Sequence, residues 1–160
     1  MKKAIILLCF ALPVLAGCSK LNESRAKDFT HSGCAAGTRA DAFSDDKPSL
    51  LILKYENGNL RVIRQNATMN CSIKERGLVC SAFVKGNALV YQVDYDKAGE
   101  ELRCVCPVEE MTSLVIGLKE GEEYTFEYCG IDRDLPRFSF TFDKDLYLVK
   151  DVDSLFDSED

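Results

Sequence analysis

Glu123-Tyr124-Thr125-Phe126-Glu127-Tyr128 and, after a short break, Phe138-Ser139-Phe140-Thr141-Phe142 are the stretches that decide the fold class. In an extended chain successive side chains point to opposite faces. Both stretches therefore put aromatic rings on one face and small or charged groups on the other. A half-buried β-strand has this pattern, and a helix does not.

The same pattern extends outward along the chain. Leu50 to Tyr55 is an apolar run that stops at Asn57-Gly58, a strong hairpin signal, and Leu60 to Gln65 is its expected partner. Leu78, Cys80, Ala82 and Val84 alternate with Val79, Ser81 and Phe83 before Gly86-Asn87 turns the chain. Leu89, Tyr91, Val93 and Tyr95 form one face of the next strand. Leu102, Cys104 and Cys106 share a face opposite Glu101 and Arg103, and Leu114, Ile116 and Leu118 continue the pattern. Residues 145–149 add a final edge. Seven to nine short strands separated by turns predict a single all-β domain over 48–150, an immunoglobulin- or fibronectin-III-like β-sandwich.

The ends of the chain read differently. Lys2 and Lys3 precede a short apolar core from Ala4 to Ala16, broken by Pro13 and too short for a permanent membrane helix. It ends in Leu15-Ala16-Gly17-Cys18, which resembles the bacterial lipobox. Residues 1–17 are thus expected to be a cleaved lipoprotein signal peptide, and Cys18 the acylated residue that holds the domain to a membrane. Residues 18–47 are polar and weakly patterned, and read as the lipidated cysteine followed by a tether or arm that Cys34 pins to the domain. The periodicity over Leu21 to Phe29 is too thin to define a helix. Residues 151–160 carry Asp151, Asp153, Asp157, Glu159 and Asp160 and read as a solvated acidic tail.

Charge and cysteine content bound the function. Cleavage takes Lys2 and Lys3 from the 20 basic residues, leaving 18 against 26 acidic and a formal charge of −8. That balance gives no support to nucleic-acid binding, which needs a basic patch or stripe, and leaves membrane attachment to the Cys18 lipid rather than to electrostatics. Cys9 departs with the signal, so Cys34, Cys71, Cys80, Cys104, Cys106 and Cys129 remain as disulfide candidates of an exported chain. Cys104 and Cys106 are two apart on a strand and point the same way, so each is expected to pair elsewhere. Cys71 and Cys80 are the expected partners, with Cys34–Cys129 holding down the arm.

The segment Leu118-Lys119-Glu120-Gly121-Glu122-Glu123-Tyr124-Thr125-Phe126 resembles the corner of fibronectin type III and related immunoglobulin-like domains. The resemblance implies a structural corner in which the Tyr124 hydroxyl bonds back to the backbone, Gly121 turns, and Leu118 and Phe126 enter the core. There is no Trp, and Phe126 stands where antibody-type domains carry a cysteine, which excludes that subtype. A wider resemblance covers roughly 70–128. Asn70-Cys71, Cys104-Val105-Cys106-Pro107 and the Leu118 to Phe126 segment occur in the same order in small envelope lipoproteins of the Bacteroidetes. This resemblance implies fold and location and carries no activity. Asp153-Ser154-Leu155 also fits the short O-glycosylation pattern of that group, and an exposed acidic tail explains these residues equally well.

Most catalytic chemistries lack their parts. His31, the sole histidine, falls in the arm, which removes Ser-His-Asp and Cys-His catalysis and disfavours zinc. A thioredoxin-like C-x-x-C beside a βαβ unit is missing. Acidic residues are plentiful, but Glu109-Glu110 and Glu120 to Glu123 read as solvated faces or turns rather than as a glycosidase pair. Asp151, Asp153 and Asp157 lack the glycine and terminal glutamate of a calcium loop. No cofactor or metal is expected.

The expected function is therefore non-catalytic: an anchored module binding an envelope protein or glycan. A structural spacer, or a carboxylate-based enzyme or enzyme inhibitor, stands as the alternative. Ser19 follows the acylated cysteine in place of the aspartate that retains lipoproteins at the inner membrane, which points to the outer membrane. Lys20-Leu21-Asn22-Glu23 is a poor match to a surface-export signal, which favours the periplasmic face.

Overall fold

Residues 22–34 and 47–157 are described by the computed structural model, and residues 1–17, the expected signal peptide, and Cys18 lie outside them. Strands form where the alternation is cleanest: β3 (Leu50–Glu56), β4 (Asn59–Asn70), β5 (Leu78–Lys85), β6 (Ala88–Tyr95), β7 (Val105–Leu114), β8 (Glu123–Cys129), β9 (Phe138–Thr141) and β10 (Tyr147–Asp151). Two more, β1 (Asn22–Arg25) and β2 (Lys27–His31), come from the arm. Short helices α1 (Ile73–Arg76) and α2 (Val152–Phe156) complete the order. Asn57 and Gly58 both take positive φ, 52° and 79°, the geometry that lets a two-residue hairpin follow the strand twist between β3 and β4.

One sheet has the order β1-β5-β6-β8-β9 and the other β10-β3-β4-β7-β2. Their inner faces meet in one core, with Ala82, Leu89, Tyr91 and Phe126 packed against Leu51, Leu53, Leu60 and Val62. The protein is an all-β sandwich. Eight of its strands fall between Leu50 and Asp151, within the expected number. Among the described residues all strand pairs are antiparallel but one, β6 with β8. The chain leaves β6 for the opposite sheet, runs through β7 and returns, so β8 arrives in the direction of β6.

Both sides of the sandwich are closed in the same way. β1 is an edge of the first sheet, and β2, one residue later, is an edge of the second. On the opposite side, β9 and β10 repeat the switch. A strand that crosses between sheets makes a corner at the cost of a bend. In β2 the bend falls at Asp28, where φ is 57° and the pairing with β7 shifts.

The structure corrects several expectations. Residues 22–31 are not tether: Asn22 to Arg25 pair with Val84 to Ser81, and Lys27, Thr30 and His31 pair with β7. An edge strand needs partners for its backbone N–H and C=O groups more than it needs apolar side chains, so a polar segment can serve. The expected solvated tail is also partly packed. Val152 and Leu155 are buried, the Asp151 carboxylate caps α2 by accepting Asp153 N–H at 3.0 Å, and Val152 N–H donates to Ser49 O at 2.8 Å. Ser154 lies within α2, exposed, and its hydroxyl donates to Asp151 O at 2.8 Å. Finally, Leu102 and Cys104 precede β7 rather than belonging to it, and the chain leaves the sheet after Leu114.

Candidate functional site

The chemistry-bearing residues converge inside the sandwich, and two charged ones sit at inward positions of neighbouring strands. Along β4 the inward residues are Leu60, Val62 and Arg64, then Ala67 and Met69. The parity changes because β4 carries an extra residue between Arg64, opposite Glu110, and Ala67, opposite Val108. Asn66 takes a φ of 55° in this bulge. A bulge re-aims side chains without ending the strand, so the apolar face resumes beyond Arg64. On β7 the inward set is Cys106, Val108, Glu110, Thr112 and Leu114 without interruption.

Arg64 and Glu110 are each about 1% exposed. Burying either charge alone costs several kcal/mol, so both need partners. Arg64 finds Asp132, in the segment after β8. Nη2 donates to Oδ2 at 2.9 Å and Nη1 to Oδ1 at 3.3 Å, a two-pronged pair. The guanidinium carbon also lies 4.7 Å from the centre of the Tyr128 ring, in a cation–π position. The Tyr128 hydroxyl donates to Glu110 Oε2 at 3.1 Å, linking the first sheet to the second. Glu110 Oε1 and Arg64 Nε have no hydrogen-bond partner.

Burial pushes the Glu110 carboxyl up to about 7, against the opposing pull of Arg64 and of the Tyr128 hydroxyl. Arg64 is held the other way. Burial works against its charge, and Tyr128 and Asp132 outweigh that and raise its affinity for its proton. Asp132 reaches Arg64 because the chain reverses after Tyr128, a turn closed by Leu135 N–H on Tyr128 O at 3.1 Å. Gly130 makes the reversal: a Cβ there would lie 2.5 Å from Tyr128 Cε1 and 2.6 Å from Asp132 Oδ1.

Beside this network lies a second polar chain. The Tyr91 and Thr112 hydroxyls share a hydrogen bond of 2.5 Å, and Thr112 Oγ1 lies 3.8 Å from Cys80 Sγ. The Tyr91 and Tyr128 rings stack with centres 5.6 Å apart. Burial pushes the Cys80 thiol up to about 11. Cys129 is raised too, by burial and then by Asp134 and Glu127. Reactive cysteines sit in electropositive surroundings that favour the thiolate, and both free thiols here have the opposite setting.

The expected cysteine pairing is half corrected. Cys71–Cys104 forms, with Cα atoms 5.5 Å apart. Cys106 bonds to Cys34, with Cα atoms 5.7 Å apart, so neither Cys80–Cys106 nor Cys34–Cys129 exists. The reason is placement. β2 lies beside β7 and carries Cys34 to the start of that strand, whereas Cys129 lies at the far side of β6 in the other sheet. Cys80 and Cys129 are free. At the corner, the Tyr124 hydroxyl accepts Lys119 N–H at 3.0 Å and donates to Glu122 at 3.3 Å. Gly121 takes a φ of 79° and donates its N–H to Phe142 O. Phe126 is in the core and Leu118 packs partly against it.

Glu110, read from sequence as solvated, is corrected: it faces the core. Arg64 and Asp132 have no role in the reading of the sequence, and Tyr128 enters it only as one ring of the aromatic face of its strand. The signal for Arg64 and for the misread Glu110 is parity, since Arg64 falls on the face of Leu60 and Val62 and Glu110 on that of Val108 and Leu114.

The geometry defines a disulfide-stapled all-β sandwich with a polar network enclosed between its sheets. Compared with models of known families, with curated proteins and with solved structures, the chain matches none.

Proposed function

We propose that the protein is an acylated lipoprotein of the cell envelope whose sandwich serves as a non-catalytic binding or assembly module. The observation that carries this reading is the enclosure of the titratable network. Arg64, Glu110, Thr112, Tyr91 and Tyr128 are all buried between the sheets, so the displaced acid–base groups face one another rather than a substrate. An active site requires such groups within reach of the reacting atoms. The groups left to a partner are those of the outer surface.

The lipobox-like Leu15 to Cys18 and the resemblance of 70–128 to small Bacteroidetes envelope lipoproteins support the location. The fibronectin-III-like corner around Tyr124 supports the kinship of the sandwich. β1 begins at Asn22. Four residues extend at most about 14 Å, so anchoring at Cys18 keeps the sandwich against the membrane, and the outer membrane's periplasmic face is the proposed site.

The test is fatty-acid labelling of cells expressing the wild type and Cys18→Ser, followed by cross-linking of the labelled protein to envelope proteins and glycans. Label lost in the variant, with a specific cross-linked component in the wild type, supports the proposal. Unlabelled wild type removes the anchor, and the absence of any specific envelope component removes the binding role.

A further inference from the structure

The four bonded cysteines form one cluster. The sulfurs of Cys34, Cys71 and Cys106 lie within 4.8 Å of one another, and Cys104 is bonded to Cys71. Their exposure is graded: Cys104 is exposed, Cys71 and Cys34 are half-buried, and Cys106 is fully buried. A more accessible disulfide therefore adjoins a less accessible one whose inner sulfur, that of Cys106, is fully buried.

We propose that these cysteines are a two-step disulfide relay, through which an external dithiol reaches the less exposed Cys34–Cys106 bond by way of Cys71. In the first step a thiolate of the dithiol attacks Cys104 Sγ. The Cys71–Cys104 bond breaks, and Cys71 leaves as a thiolate. The second thiol of the reductant then resolves the mixed disulfide, Cys104 is released as a thiol, and the dithiol departs oxidised by two electrons. In the second step the Cys71 thiolate attacks Cys34 or Cys106. The Cys34–Cys106 bond breaks, a bond to Cys71 forms, and the displaced sulfur takes up a proton from water. No net electrons move in this step, so it is an exchange of partners.

The surrounding backbone keeps the sulfurs together while bonds change. Cys71 N–H donates to Cys104 O at 3.0 Å. Asn70 acts as a clamp, its Nδ2 donating to Leu102 O at 2.7 Å and its Oδ1 accepting from Leu102 N–H at 3.0 Å and Ser72 N–H at 2.9 Å. Opening Cys71–Cys104 thus frees a sulfur without separating the segments that carry it. Cys80, a thiol well above neutral pH, does not compete. The relay goes beyond the anchored-module reading and stands whether or not Cys18 is acylated.

Non-reducing peptide mapping after alkylation tests it on three samples. In Cys104→Ser, Cys71 starts as a thiol, and links from Cys71 to Cys34 or Cys106 are expected alongside Cys34–Cys106. Complete alkylation of Cys71 with Cys34–Cys106 intact would overturn the relay. In Cys71→Ser, Cys104 is expected to be alkylated with Cys34–Cys106 intact, and links to Cys104 would overturn the assignment of Cys71 as the carrier. In the wild type under limiting dithiothreitol, which requires no variant to fold, Cys104 is expected to alkylate before any thiol appears at Cys34 or Cys106. Simultaneous or reversed labelling would overturn the order.

Discussion

The enclosed network around Arg64 ties the two sheets to each other, and the sulfur cluster at the start of β7 ties neighbouring strands within one of them, by different physics. At Arg64 the link is directional and electrostatic: Asp132 grips the guanidinium and Tyr128 joins Glu110 across the core. At the cluster the link is covalent, with Cys34–Cys106 joining β7 to the end of β2 and Cys71–Cys104 joining the end of β4 to the approach of β7. A buried charge pair contributes little when intact and costs much when half of it is removed. A disulfide acts mainly by restricting the unfolded chain. The first region is therefore brittle to single substitutions and sensitive to pH, and the second is sensitive to reductant.

Asp132→Ala should separate the two most sharply. It leaves Arg64 buried without its carboxylate and is expected to lower the unfolding free energy by about 3–5 kcal/mol in urea denaturation. A loss under about 1 kcal/mol would mean that water already serves Arg64. Replacing Cys71 and Cys104 together by Ala opens a loop closed over a separation of 33 residues, with an expected loss of about 2–4 kcal/mol. Dithiothreitol should destabilise the wild type by more than this double variant, because one bond remains to be cut in the wild type that the variant already lacks.

Glu110→Gln should remove a pH dependence. A carboxyl raised from its ordinary 4.5 to about 7 holds a proton in the folded protein that the unfolded chain has released. Its contribution to stability is full below about pH 4.5 and is lost as pH rises through about 7. The wild type should lose on the order of 2–3 kcal/mol between pH 5 and pH 8 relative to the variant. Parallel profiles would show that Glu110 does not titrate in that window. Tyr124→Phe, at the corner away from both regions, removes the hydroxyl that accepts Lys119 N–H and should cost about 1 kcal/mol.

What the sequence discloses follows the same division. The alternation of Tyr124, Phe126 and Tyr128 and the Asn57-Gly58 pair are local signals, and both lead to the strands and hairpin found. The cysteines announce staples, yet their pairing depends on which strands become neighbours, and the strand carrying Cys34 to Cys106 is too polar to announce itself. Arg64 and Glu110 obey the inward parity of their strands but contradict the usual chemistry of a core, so parity and polarity disagree at those two positions. The bulge at Asn66 hides the resolution, since it shifts the apolar face from even to odd positions just beyond Arg64. Asp132 lies in a turn and gives no periodic signal at all.

Closure of the titratable network to solvent is best tested by following the Glu110 side-chain carboxyl by carbon-13 NMR across a pH titration of the folded protein. A midpoint near 7 is expected for Glu110, with Glu110→Gln identifying the resonance. A midpoint near the ordinary 4.5 would contradict it: water would then reach the centre, and a carboxylate-based activity would replace the binding module as the best reading of the site.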